Sequence, residues 1–282
     1  MKCLYSSDLH GNPWIYAKLF ELAGAADVGA VLLGGDLSPL TPPLDLMIER
    51  QGSFWTEFLP PRCAELTRAG KRVLLIPGND DLAVHDPLLR QGHEDGVWNL
   101  IDGASADLDG FVVGGCSTVS ITPFLLKDRE AYDLERGTKA EIDGMDLDDP
   151  NAIYTAPRPI DAISRTLLER LESLFAAIDG AQPKILMAHC PPYATALDVL
   201  YDGRHVGSRA VRAIIERHTP VLALHGHIHE SPAMEGGSWM HRLGDTIAVN
   251  PGSSHHGGER ARLQLVSFDT KDVAGTIRYD RL

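Results

Sequence analysis

Five short apolar runs, spread along the chain, each stop at a carboxylate, a carboxamide or an imidazole. Lys2–Ser7 is followed by Asp8-Leu9-His10, Ala30–Leu33 by Gly34-Gly35-Asp36, and Arg72–Ile76 by Pro77-Gly78-Asn79. Lys184–Ala188 runs into His189, and Val221–Leu224 into His225-Gly226-His227-Ile228-His229. The runs are continuous rather than alternating, as strands buried on both faces are. Helical signals lie between them. Asn12-Pro13 reads as a cap and first helical residue, opening a helix through Trp14, Leu19 and Leu22 towards Ala26. A helix is expected over Trp55–Ala69, broken near Pro60-Pro61, after a looser stretch from Pro39 to Pro43. Another follows from Ile160, Ile163, Leu167, Leu168, Leu171, Leu174, Phe175 and Ile178, ended by Gly180. Ser208 caps one running to His218. Phe111–Gly114 and Thr246–Val249 read as further strands, and Arg262–Phe268 with Ala274–Tyr279 as an exposed hairpin at a sheet edge.

Strand and helix thus alternate, the pattern of an α/β fold with its sheets covered on both faces. In such folds polar chemistry gathers on loops beyond the carboxyl ends of the strands. Asp8, Asp36 and Asn79 fall there, and none of the candidates demands an unusual backbone. With 282 residues, of which 44% are apolar, the chain is long enough for a sizeable core.

Charge narrows the function. Lys and Arg number 26 against 39 Asp and Glu, a net of −13. A surface this acidic repels polyanions, which argues against nonspecific nucleic-acid binding. The four cysteines, Cys3, Cys63, Cys116 and Cys190, show no paired spacing. A reducing compartment is expected, with no disulfide framework. The opening Met1–Asp8 is charged too soon for a signal peptide, and no apolar run nears the roughly 20 residues that span a bilayer. Cytoplasmic localisation is the expectation. Between Asp128 and Pro150 nine acids face three bases, so this stretch carries a large part of the excess and reads as a solvated insertion or cap.

Singly, each polar stop has an ordinary explanation. Asp8 suits a turn cap, Gly35-Asp36 and Gly78-Asn79 suit tight turns, and His189 suits a structural histidine. His227 and His229, two apart on an extended segment, point the same way. Together the stops form a set of hard and borderline metal ligands.

The set resembles the calcineurin-like metallophosphoesterases, whose pattern is Asp-x-His, Gly-Asp, Gly-Asn-His-Asp/Glu, a lone His, Gly-His-x-His and a later Asn-Pro-Gly-Ser. Here these stand as Asp8/His10, Gly35-Asp36, Gly78-Asn79-Asp80-Asp81, His189, Gly226-His227-Ile228-His229 and Asn250-Pro251-Gly252-Ser253. The resemblance spans most of the chain outside the acidic stretch. It implies a four-layer αββα sandwich of two mixed sheets, one domain over 1–282 with an acidic insertion at about 117–158. It implies two divalent ions, with Mn expected and Fe, Zn, Ni or Mg as alternatives. Asp8, His10 and His229 would hold one, Asn79, His189 and His227 the other, and Asp36 would bridge. His225 matches no family position. The implied activity is hydrolysis of a small phosphate ester by a hydroxide shared between the ions. A phosphodiester is slightly favoured over a monoester or pyrophosphate. A non-catalytic scaffold of the same fold is the reading from another class.

One position departs from the pattern. Asp80 stands where the family has a histidine that assists the leaving group or the transferring phosphoryl group. Beside two dications a carboxylate stays ionised and is a poor proton donor. Activated esters are therefore expected to turn over better than alkyl esters. His205 is a candidate for the missing acid, Arg204 for a phosphoryl clamp, and Tyr193 for the pocket lining. His255 and His256, just beyond Asn250, face the same end of the sheets.

Overall fold

The computed structural model of the protein describes residues 1–138, 144–157, 165–178, 180–253 and 261–282. The expected positions Lys139, Glu141, Asp143, Ile160, Ile163, His255 and His256 lie outside the described residues.

The strands are β1 (Lys2–Ser6), β2 (Val28–Gly34), β3 (Arg72–Ile76), β4 (Asn99–Leu100), β5 (Ser105–Leu108) and β6 (Phe111–Cys116). They continue as β7 (Val119–Ser120), β8 (Glu130–Ala131), β9 (Lys184–Ala188), β10 (Leu222–Leu224), β11 (Met240–Leu243), β12 (Thr246–Val249), β13 (Gln264–Asp269) and β14 (Arg278–Arg281). One six-stranded sheet has the order β14-β13-β1-β2-β3-β4 and the other β11-β12-β10-β9-β6-β5. In the first, β1, β2, β3 and β4 are parallel, with β13 and β14 antiparallel at one side. In the second, β12, β10, β9 and β6 are parallel, edged by antiparallel β11 and β5. β7 and β8 form a separate short pair.

Alternation along the strands assigns side chains to layers. Cys3, Tyr5, Leu32 and Leu74 meet Val113, Ile185, Met187 and Leu222 between the sheets. Leu4, Val31, Leu33 and Val73 turn to the other side, onto Tyr16, Leu19, Phe54 and Trp55. On the outer face of the second sheet, Leu186, Ala188 and Ala223 pack under Leu171, Phe175, Ile214 and Ile215. The result is the four-layer αββα sandwich of two mixed sheets.

The helix Pro13–Ala23 is capped by Asn12, whose side chain accepts from the backbone N–H of Trp14 and Ile15. Ser208 caps Arg209–His218 by accepting from Val211. Several local expectations need correction. A helix over Leu44–Ser53 precedes a π-helical turn, Phe54–Phe58, and continues as Leu59–Arg68. Pro60 and Pro61 therefore do not break the helix; they sit in its last segment's first turn, where a missing N–H is least harmful. The described part of the Ile178 helix is Leu167–Ala177, opened by a capping box between Thr166 and Glu169. The terminal strands pair antiparallel at the sheet edge as expected, but only β14 is exposed. β13 lies between β14 and β1 with Leu265, Val266 and Phe268 buried, and a short helix, Val273–Thr276, intervenes before β14.

The acidic stretch is also not a solvated loop throughout. Lys127, Arg129, Glu130 and Asp133 are all buried. Lys127 Nζ donates to Glu130 Oε2 at 2.7 Å and to the Thr122 carbonyl at 2.7 Å. Asp133 accepts from Ser208 Oγ and from the N–H groups of Arg209 and Ala210, so it caps the helix Arg209–His218 from outside. A charge count carries no information on pairing, which turns these groups inward. Among the described residues, no helix is long and apolar enough to cross a membrane.

Candidate metal centre

Five parallel strands, three in one sheet and two in the other, deliver the candidate ligands from their carboxyl ends. β1 carries Asp8 and His10, β2 Asp36, β3 Asn79, β9 His189, and β10 His227 and His229. Asp8, His10, Asp36 and His229 offer ligand atoms that all lie within 4.8 Å of one another. Asp36, His189 and His227 do the same, so Asp36 is common to both groups.

The loops are tightly interlocked. The Asp8 N–H donates to the Gly35 carbonyl at 2.9 Å, and His10 N–H to the Asp36 carbonyl at 2.9 Å. Asp8 Oδ1 accepts from His227 N–H at 3.0 Å. Asp36 Oδ1 accepts from Asp80 N–H at 2.8 Å. Two glycines make this closeness sterically feasible. A Cβ on Gly78 would stand 2.1 Å from Asp36 Oδ1, and one on Gly35 would stand 2.5 Å from His189 Nδ1. The backbone is unusual here, against the expectation. Among the described residues seven non-glycine positions have left-handed φ, and Asp8, His10, Asp36 and His227 are four of them. Such φ values are costly for L-residues and cluster where a site needs side chains re-aimed.

The polar groups fit a cation. Asn79 Nδ2 donates to Asp80 Oδ1 at 3.0 Å, which leaves Asn79 Oδ1 buried without a hydrogen-bond partner. A buried carbonyl oxygen left bare is costly and calls for a specific explanation, such as an ion. His10 Nε2 and His229 Nε2 approach to 3.4 Å, and His229 Nε2 lies 3.2 Å from Asp8 Oδ1. His189 Nδ1 lies 2.8 Å from the Gly34 carbonyl, which fixes the ring and leaves Nε2 3.2 Å from Asp36 Oδ2. Nitrogen and oxygen donors without thiolate suit first-row divalent ions.

Burial opposes ionisation of Asp36, yet the neighbouring His189 outweighs it and holds the carboxyl below the usual range. His189 shows the converse: burial lowers it, but Asp36 and Asp8 raise it to about 10. Burial, then the charge on His189, pushes His227 down to about 3, so its ring is neutral. Asp80 is raised by burial and by Asp36, and dications bound at the cluster would act in the opposite direction.

His225 is buried and belongs to neither ligand group. Its Nδ1 lies 2.9 Å from the Ala188 carbonyl and 3.0 Å from that of Cys190. Arg204 is half exposed, with Nε tied to Asp202 at 2.7 Å, and among the described residues no hydrogen bond or ion pair joins it to the candidate ligands. His205 is held differently. Its Nδ1 lies 2.8 Å from the buried Asp198 carboxylate, and its ring lies edge-on to Tyr193 at 6.3 Å. Asp198 also accepts from the N–H groups of Ala194, Thr195 and Gly207.

Two groups escaped the sequence reading. Asp198 carried no local signal. Asp81 did, as the acid closing Gly78-Asn79-Asp80-Asp81. Its carboxylate accepts from Gly78 N–H at 2.8 Å, Leu37 N–H at 3.1 Å and Ser38 N–H at 2.8 Å, pinning the Asn79 loop to the Asp36 loop.

The fold recurs in solved structures of low sequence identity. One crystal structure superposes with a TM-score of 0.64 at 17% identity, over 99% of this chain and 98% of that one. The crystal structure of TT1561 of Thermus thermophilus gives 0.60 at 18% identity, over 99% and 98%. A structure described as a novel archaeal phosphodiesterase aligns at 0.45 and 13% identity over the whole of both chains, too loosely to argue from. No curated protein matches the chain in sequence. The sequence model of the calcineurin-like phosphoesterases matches residues 1–231, from the first strand to just past His229. On that match the chain belongs to the calcineurin-like phosphoesterase family.

Proposed function

We propose that this protein hydrolyses small phosphate esters, phosphodiesters ahead of monoesters, with two divalent ions at the Asp36 cluster. The observation that carries the reading is Asp36 shared by both ligand groups, beside the bare Asn79 Oδ1. Asp8, His10 and His229 with Asp36 are assigned to one ion, and Asn79, His189 and His227 with Asp36 to the other. Manganese is the metal proposed for activity. When bound, such ions activate a shared water and neutralise phosphoryl oxygens. The chain supplies only Asp8 and Asp36 as anions among these ligands. They cancel half the charge of two dications, so the pocket attracts a phosphate despite the acidic surface.

The remaining chemistry is the leaving-group proton. Asp80 sits beside Asn79 but, next to cations, favours its anion. His205 is better arranged as the acid. Asp198 supports Nδ1, as a carboxylate does in hydrolase triads, and leaves Nε2 to exchange the proton. Val199 N–H donates to Ser231 Oγ at 3.1 Å, which joins the His205 loop to the segment after His229.

The test is a panel of nitrophenyl and alkyl mono- and diesters, assayed with chelator-stripped protein reloaded with Mn, Ni, Zn, Mg or Fe. Metal-restored hydrolysis with diesters ahead supports the proposal. Hydrolysis that persists in chelator, or none with any metal, overturns it.

A further inference from the structure

We propose that Arg129 is a positioning residue for the metal centre, through which the acidic stretch holds the Asn79 loop in place. This rests on the assignment of Asn79 to the centre. Arg129 comes from outside every ligand-bearing loop and is buried. Its Nε donates to the Asp81 carbonyl at 2.8 Å. Nη2 bonds the Asp86 carboxylate, and Nη1 lies 4.0 Å from Asp102 Oδ2. The preceding residue grips the same loop, since Asp128 Oδ2 accepts from Ala83 N–H at 2.9 Å.

Asp81 passes the constraint on. Its carbonyl is held by Arg129 while its carboxylate holds Gly78, Leu37 and Ser38, neighbours of Asn79 and Asp36. The guanidinium is a planar fork that satisfies the Asp81 carbonyl and Asp86 at once, which no other side chain among the described residues does. Without Arg129 the loop stays attached, because Gln51 still donates to the Asp80 carbonyl at 2.8 Å and accepts from Leu82 N–H at 2.9 Å. What is lost is the fixed position of Asp81 relative to Asn79. Groups that orient metal ligands in this indirect way are worth roughly 10–100-fold in affinity.

The experiment is stepwise manganese titration of Arg129→Met and of the pair Arg129→Met/Asp86→Asn, followed by calorimetry and by the EPR signature of paired Mn ions. The pair removes the charge left alone at Asp86, and so separates folding from positioning. Melting temperature is measured alongside. In both variants one binding step is expected to weaken about tenfold more than the other, with the paired-ion signal reduced, while the pair recovers most of the melting temperature. Wild-type affinities at both steps overturn the proposal, as does an equal loss at both steps. Failure of the wild-type protein to bind two ions is a different result, and removes the assignment of Asn79 beneath it.

Discussion

Gly78→Ala perturbs the centre without replacing any candidate ligand. The added Cβ would stand 2.1 Å from Asp36 Oδ1, 2.3 Å from Asp36 N and 2.7 Å from Asp36 Cγ. Ordinary contact begins at 3.4 Å, so the Asn79 and Asp36 loops must part by roughly 1 Å. Neither neighbour is the end of a flexible chain. Asp36 is anchored by Asp80 N–H, and the Gly78 N–H is anchored by Asp81. Overpacking of this kind costs about 1–3 kcal/mol of stability. A misplacement of about 1 Å costs on the order of 100-fold in rate, or about 2.7 kcal/mol in the barrier. The assay is Mn-dependent hydrolysis of a nitrophenyl diester, with metal content and urea unfolding measured on the same sample. Gly180→Ala is the control, since a Cβ there meets nothing within 4 Å. Gly78→Ala is expected to lose about two orders of magnitude in kcat/KM and to bind metal more weakly. Wild-type turnover and metal content in a folded Gly78→Ala protein would refute the interlocked-loop geometry.

Asp36→Asn removes the anion common to both ligand groups and is expected to abolish binding of at least one ion, read by elemental analysis; unchanged metal content contradicts the bridging assignment. His205→Gln is expected to slow alkyl-ester hydrolysis far more than nitrophenyl-ester hydrolysis, because only the former needs a protonated leaving group; equal effects on both remove His205 as the acid. Asp80→His is expected to raise the alkyl-ester rate, and an unchanged or lower rate counts against the role given to that position. Glu130→Gln leaves Lys127 buried beside a neutral partner and is expected to cost about 3–5 kcal/mol in urea unfolding, whereas Lys127→Met/Glu130→Leu is expected to be close to neutral. Equal destabilisation of the single and double variants refutes that reading of the pair.

The strands were legible because continuous apolar runs have few alternatives. Arg72–Ile76, Lys184–Ala188 and Thr246–Val249 are strands over those same residues. Caps with local side-chain chemistry were legible too, as at Asn12 and Ser208. The helix Leu44–Ser53 was not, since its polar sequence buries only Met47 and Gln51. Gln51 is buried for the loop it holds, which is a tertiary reason. The prolines at 60 and 61 misled for the same cause: their effect depends on where the helical segment starts. The candidate ligands were readable as residue types after strands. Their left-handed backbones were not, because Asp8, His10 and Asp36 lie in loops bonded to one another across distant parts of the chain, which no local pattern marks. Arg129 and Asp81 are 48 residues apart, and no local pattern marks the bond between them. The inward turn of Lys127, Glu130 and Asp133 was hidden likewise, since a net charge does not distinguish paired from solvated groups.

Anomalous diffraction from crystals grown with manganese, recorded at the Mn absorption edge, reads the central arrangement directly. Two peaks about 3.5–4 Å apart are expected, with Asp36 between them and Asn79 Oδ1 against one. A folded protein with an empty cluster, or a single ion that Asn79 does not reach, would contradict the two-ion centre.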